Sequence, residues 1–146
     1  GLFGQSNYAA AKMGLVGFAN ALKFELERKG VKINCLAPSA MTRMSDGLVE
    51  PEIAARLAPE LVAPAVGYLA SEACTLTGCV MTAGAGHFAL DRMMESPGVD
   101  FDRAAQITPD MIAEHISEIA DMSGARAFES GVAQLRKIAR TETPSR

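Results

Sequence analysis

Apolar residues recur at every third or fourth position from Ala9 to about Lys29, with no proline in the run and Gly30 directly after it. That spacing predicts a helix closed by a glycine C-cap. At about 100° per residue, Tyr8, Lys12, Leu15, Ala19, Leu22 and Leu26 fall in one narrow stripe, expected to face the core. Nearly opposite, Ala10, Met13, Gly14, Gly17, Ala21 and Phe24 form a face of mostly small residues, which lets another helix backbone come close. Burial on both faces is therefore expected, against the protein's own sheet on one side and a partner helix, from a second subunit, on the other. The alternative is two faces within a single core.

From Val31 to Pro38 the pattern changes to alternation, with Val31, Ile33, Cys35 and Ala37 on one side before a proline stops it, and this predicts a strand. The segment from Ser39 to Glu60 is rich in small, polar and methionine residues, with helical turns expected from Pro51 to Leu57, and reads as a mobile flap over a site. A helix resumes with Pro64 in its first turn and Val66, Leu69, Ala70 and Ala73 inward. A short apolar strand, Cys79–Thr82, follows a Thr-Gly turn and leaves through a glycine-rich exit. Alternation of helix and strand, with apolar strands between helices, predicts an α/β fold around a mostly parallel sheet.

Beyond residue 90 the pattern is helical. Thr108 is placed to cap a helix that has Pro109 at its first position, an Ile112, Ile116 and Ile119 stripe, and Gly124 as its stop. Phe128, Val132, Leu135 and Ile138 mark another amphipathic helix, and together these predict a helical hairpin laid on the body or on a neighbour. The last six residues, "TETPSR", are expected to fray.

Composition narrows the function classes. The 146 residues, 49% apolar and 21% charged, suit one modest core. A net charge of −3 with scattered Lys and Arg excludes a basic field for nucleic acid. No apolar run reaches the length of a membrane span, and the N-terminus lacks a signal-peptide pattern, so a soluble protein of the cytoplasm, with no membrane partner, is expected. Cys35, Cys74 and Cys79 form no CxxC and read as reduced small hydrophobes, while His87 and His115 have no ligand-spaced partners, so no metal site is expected. The chain opens on a loop glycine with no strand before it, and reads as the later part of a longer protein.

The chemistry concentrates in "QSNYAAAKMG", Gln5–Gly14. Tyr8 and Lys12 are four apart, which brings them to one helix face. A nearby cation stabilises a phenolate, which suits the phenol to proton transfer near neutral pH. A purely structural alternative is a frayed helix start with both tips in water.

The motifs do not stand alone. "YAAAK" within "GQSNYAAAKMGLVGFANAL", a strand ending in "NCLAP", and "LTGCVMTAGAG" follow in order over Gly1 to Gly86, and this set resembles the C-terminal half of a short-chain dehydrogenase/reductase. "APSAMTRM", "AGAGHFA" and "ITPDMIAEH" are more similar to the (3R)-hydroxyacyl-CoA dehydrogenase branch, typified by the dehydrogenase part of peroxisomal multifunctional enzyme type 2. The resemblance implies a Rossmann-like doubly wound parallel sheet, with residues 1–90 as the C-terminal half of a dinucleotide-binding domain. Residues 91–146 would be a helical extension that packs on the body or a neighbouring subunit. It further implies hydride transfer between NAD or NADP and a hydroxy or keto carbon, on a 3-hydroxyacyl-CoA or steroid-like alcohol. Tyr8 would move the hydroxyl proton, with Lys12 favouring its ionised form and holding the nicotinamide ribose. The turn Pro38 to Thr42 would hold the nicotinamide end, through Pro38, Ser39, Met41 and Thr42, although the family's threonine usually stands one place later. Phe3, Gln5, Met41 and Met44 would line the substrate pocket, the methionines having gap filling as an alternative role. A homo-oligomer, dimer or tetramer, through helix 9–29 is implied as well.

The family's glycine-rich nucleotide loop, its Asn-Ala-Gly segment and its carbonyl-polarising serine belong before Gly1. "AGAGHFA" follows a terminal strand rather than opening a helix, so it is not the dinucleotide fingerprint. Two other readings therefore stand beside the enzyme: a non-catalytic dehydrogenase-like assembly or regulatory subunit, and an epimerase or dehydratase of the extended branch.

Overall fold

Helix α1 spans Ser6–Glu27, and its end follows from Gly30. In a computed structural model of the chain, which describes residues 1–43 and 49–139, the Gly30 amide donates to the Glu27 carbonyl at 3.0 Å and the Val31 amide to that of Leu26 at 3.3 Å. Gly30 itself stands at φ +65°. These paired bonds around a left-handed residue make a Schellman stop, available to glycine without steric cost. The chain divides into two units, Gly1–Asp91 and Arg92–Arg146.

In the first unit, strand β1 is Cys35–Pro38, shorter than the Val31–Pro38 alternation predicts. The missing half bonds to a turn instead of a ladder. The Ile33 carbonyl accepts from the Gly78 amide at 2.6 Å, the Ile33 amide donates to Thr77 Oγ1, and Asn34 Nδ2 donates to the Leu76 carbonyl at 3.0 Å. Past β1 come helix α2, Pro51–Ala54, a 3-10 turn at Pro59–Leu61, and helix α3, Ala63–Leu69. Its inner side is Val62, Ala65 and Leu69, not the expected Val66, Ala70 and Ala73, which stand exposed. The helix begins at Ala63, one residue before Pro64, and ends at Leu69, so its inward face is set by positions i, i+3 and i+7 counted from Val62.

Strand β2, Val80–Gly84, pairs parallel with β1, and β3, His87–Asp91, pairs antiparallel with β2. The three-stranded sheet is thus mixed, which corrects the mostly parallel expectation. The cause is the two-residue connection Ala85-Gly86, with φ of +53° and +77°. Two left-handed residues between paired Gly84 and His87 form the primed turn that reverses a strand without splaying it. Val62, Ala65, Met81 and Ala83 form a buried core cluster of the unit, with Leu36, Ala40, Leu69 and Leu76 packed against them; Ala19 and Cys74 are buried as well.

Alanine in the left-handed region costs about 1–2 kcal/mol, and Asn tolerates it better. Ala85→Asn is therefore expected to stabilise the protein by about 0.5–1 kcal/mol, read from urea denaturation. A loss of stability would contradict this assignment of the turn.

The second unit holds α4, Pro109–Glu114, α5, Ile116–Ile119, and α6, Gly131–Ile138. Thr108 caps α4 by accepting from the Met111 amide, as its position before Pro109 predicts. Where one long helix is expected, His115 interrupts: its amide and its ring Nδ1 both meet the Met111 carbonyl, and a ring that competes for a helix carbonyl disturbs the ladder. Phe101 meets that ring edge-on at 5.2 Å. Ser130 caps α6 through the Ala133 amide. Glu95 and Arg126 exchange backbone bonds at 2.9 and 3.0 Å.

The Glu95 carboxylate accepts from Lys137 Nζ at 2.7 Å and from Gln134 Nε2. Bonding to these donors, with Lys137 foremost, holds its pKa below the ordinary 4.5. A folded pKa below the unfolded one means that the contribution is complete above the unfolded value and fades as pH falls through the folded one. Wild-type melting temperature is thus expected to fall more steeply below pH 4.5 than that of Glu95→Gln; parallel profiles would contradict the assignment.

Candidate active site

Position along α1 decides which end of the sheet the Tyr-Lys pair reaches. Lys23 lies against Gly78, where a Cβ would overlap its side chain, and the Gly78 amide bonds to Ile33. Just over two turns toward the helix start, the Cys35 thiol donates to the Leu15 carbonyl at 3.7 Å. The helix therefore runs antiparallel to the chain entering β1. Seven residues from Leu15 back to Tyr8 rise about 10 Å at about 1.5 Å each. Three residues from Cys35 to Pro38 advance about 10 Å at about 3.3 Å each. Tyr8 is thus level with the carboxyl end of β1, the end at which open α/β sheets bind ligands.

At that end the core-facing expectation for the helix stripe fails. Ala19 is buried and Leu22 and Leu26 are partly so, but Leu15, Lys12 and Tyr8 are exposed, Tyr8 by 57%. Lys12 Nζ lies 5.4 Å from the Tyr8 ring centroid, over the face of the ring rather than at its oxygen, a cation–π placement. The phenol oxygen is left for another partner, and the ammonium remains within reach of the same space.

The turn after β1 is held from several directions. Pro38 pairs with Ala83, and the Ser39 amide donates to the Ala83 carbonyl at 2.8 Å. Ala40 packs on the core, and the Met41 amide donates to the Leu57 carbonyl at 2.8 Å. That last bond engages the Met41 N–H, so a carboxamide at this position would meet the Met41 carbonyl. Thr42 is exposed and already engaged in an interaction of its own. Fixed in this way, the start of the segment read from sequence as a mobile flap is part of the sheet edge. Phe3 and Gln5 precede α1, both exposed; the Gln5 amide bonds to the Leu2 carbonyl at 3.2 Å and its carbonyl accepts from Ala9. Met44 and the "TETPSR" end lie outside the described residues. Two residues that frame this turn, Gly84 and Leu57, were not anticipated as site residues; the glycine run of "TAGAG" was the available signal.

No described helix is long and apolar enough to cross a membrane. Residues 1–52 match the short chain dehydrogenase family. A Mycobacterium tuberculosis protein assigned to the short-chain type dehydrogenases/reductases is 40% identical over 126 residues, covering 86% of this chain and 43% of that protein. The Saccharomyces cerevisiae peroxisomal hydratase-dehydrogenase-epimerase is 38% identical over 122 residues, 83% of this chain and 14% of that one. The structure of full-length peroxisomal multifunctional enzyme type 2 from Drosophila melanogaster superimposes with a TM-score of 0.82 at 31% identity, over 97% of this chain and 26% of that one. The resemblance to short-chain dehydrogenases/reductases, with its lean toward the multifunctional enzyme type 2 branch, is borne out. The chain spans less than half the length of these relatives. Two of them are peroxisomal by name, which stands against a plainly cytoplasmic expectation.

Proposed function

We propose that the whole protein is an NAD- or NADP-dependent oxidoreductase of the short-chain type, acting between a hydroxyl and a keto carbon of a 3-hydroxyacyl-CoA or a steroid-like alcohol. In this reading residues 1–90 are the C-terminal half of the dinucleotide-binding domain and residues 91–146 its helical extension. The observation that carries it is the pairing of Tyr8 and Lys12 one turn apart at the carboxyl end of β1, beside a turn that presents the Met41 carbonyl and the Ser39 hydroxyl. That donor set suits a nicotinamide nucleotide: an ammonium for ribose hydroxyls, the Met41 carbonyl for a carboxamide, and the Ser39 and Thr42 hydroxyls for phosphate oxygens. When bound, the nicotinamide ring gives or takes the hydride.

The chain's own residues then divide the remaining work. Tyr8 accepts the substrate hydroxyl proton during oxidation and returns it during reduction. Lys12 keeps positive charge beside the ring of Tyr8 and holds the ribose. Phe3, Gln5, Met41 and Met44 would shape the acyl or steroid side of the pocket. Ala10, Met13, Gly14, Gly17, Ala21 and Phe24, all exposed on one face of α1, suit a second copy of the helix, so a homo-oligomer through residues 9–29 goes with this reading.

The test is Lys12→Ala in the full-length protein. Both functions of the ammonium are lost, so dinucleotide affinity and kcat are expected to fall together, each by about tenfold or more, the scale of a charge-assisted hydrogen bond of about 1.5–3 kcal/mol. Unchanged dinucleotide binding and turnover would refute the role of this residue.

A further inference from the structure

Gly84 ends β2 with its α-carbon against the turn that follows β1. A Cβ placed on it would lie 2.5 Å from the Ser39 carbonyl oxygen and 2.8 Å from the Ser39 Cβ. Both distances are too short for any real side chain, and the nearer obstacle is backbone, which cannot rotate away. At Gly78 a Cβ would meet the Lys23 side chain instead, which can turn aside. Glycines 14, 17 and 67 have open space where a Cβ would be.

We infer that Gly84 is a positioning residue for the dinucleotide, its bare α-carbon setting the depth at which the Pro38–Thr42 turn lies against the end of β2. The inference rests on the functional reading above and deepens it. Its warrant is the way the turn is anchored. Ser39 is bonded to Ala83, Ala40 is packed into the core, and Met41 is bonded to Leu57. A methyl group at position 84 must push the Ser39 carbonyl outward by about 1 Å to reach ordinary contact, and those anchors oppose any compensating slide. The Ser39 and Thr42 hydroxyls and the Met41 carbonyl move with it. Each hydrogen bond to the dinucleotide that is weakened in this way costs about tenfold in affinity. Tyr8 and Lys12 are carried on α1, a separate element, so the proton-transfer end keeps its place.

This separation gives the test. In the full-length protein, Gly84→Ala is expected to raise the dinucleotide Kd and KM by about 10- to 100-fold, with kcat at saturating dinucleotide within about threefold of wild type. Gly67→Ala, a change into open space, is the control for adding a methyl group to this unit and should leave both parameters unaltered. A purely structural role would lower the amount of active protein and the melting temperature without splitting KM from kcat. If Gly84→Ala does not fold, Ser39→Pro is compared with Ser39→Ala: both lack the hydroxyl, only the former lacks the amide that bonds to Ala83, and a further selective loss of dinucleotide affinity in Ser39→Pro is expected, equal affinity of the two overturning the inference. Wild-type dinucleotide affinity in a folded variant overturns the inference even where Tyr8→Phe has abolished turnover. A wild-type protein that binds neither dinucleotide overturns the functional reading first, and this inference with it.

Discussion

Tyr8→Phe in the full-length protein is expected to lower kcat by about 10²- to 10⁴-fold, the range that general acid–base catalysis supplies, while dinucleotide affinity and melting temperature stay close to wild type. The substitution removes one oxygen and keeps the ring. Since Lys12 lies over the ring face at 5.4 Å, its cation–π partner survives, and the ammonium has no reason to move. Loss of turnover therefore reports on proton transfer and not on folding. Stopped turnover with a lowered melting temperature would point instead to a structural role for the phenol, and near-normal turnover would remove Tyr8 from the chemistry.

Met81→Ala is expected to destabilise the protein by about 2–5 kcal/mol, the usual cost of truncating a buried long side chain. Met81 lies in β2, the middle strand, paired with Leu36 on one side and Leu90 on the other, and is almost fully buried in a cluster with Val62, Ala65 and Ala83. Two of its buried neighbours are alanines, too short to reach into the space that a truncated side chain leaves. A protein is commonly stable by only about 5–15 kcal/mol, so this single change removes a large share. Urea denaturation measures it, and a change below about 1 kcal/mol would mean that the cluster is not the main support of the sheet.

The features legible in the sequence are those with a local cause. Gly30 stops α1 because its left-handed φ lets two amides bond back to the helix, and Thr108 with Pro109 opens α4 because a side-chain oxygen and a fixed φ suit the first turn. The Tyr8-Lys12 proximity follows from helix geometry alone. Features set by tertiary partners were less legible. Strand β3 was missed because its turn uses Ala85 where Asn, Asp or Gly is the ordinary signal, so "AGAGHFA" read as an exit rather than a hairpin. The first half of Val31–Pro38 alternates like a strand, yet its bonds run to the Leu76–Gly78 turn, which no periodicity encodes.

The candidate site divides in the same way. Residue types and spacing located Tyr8 and Lys12, but their exposure is set by what packs against α1, which helix periodicity does not encode. The Pro38–Thr42 turn was marked by its proline and threonine. Its anchoring was not, because Gly84 and Leu57 reach it from 45 and 16 residues away in the chain, counted from Ser39 to Gly84 and from Met41 to Leu57. Gly84 in particular matters for what it lacks, and an absent side chain leaves only an ambiguous trace in a glycine-rich run.

The central claim is that Tyr8 and Lys12 form the proton-transfer end of a hydride-transfer site. The most direct measurement mixes the full-length protein with a 3-hydroxyacyl-CoA and, separately, NAD and NADP, and follows nicotinamide absorbance. The account predicts reduction of one dinucleotide by the wild type and none above background by Tyr8→Phe. Equal reduction by both proteins would contradict it, as would dinucleotide binding with no hydride transfer from 3-hydroxyacyl-CoA or from a steroid alcohol.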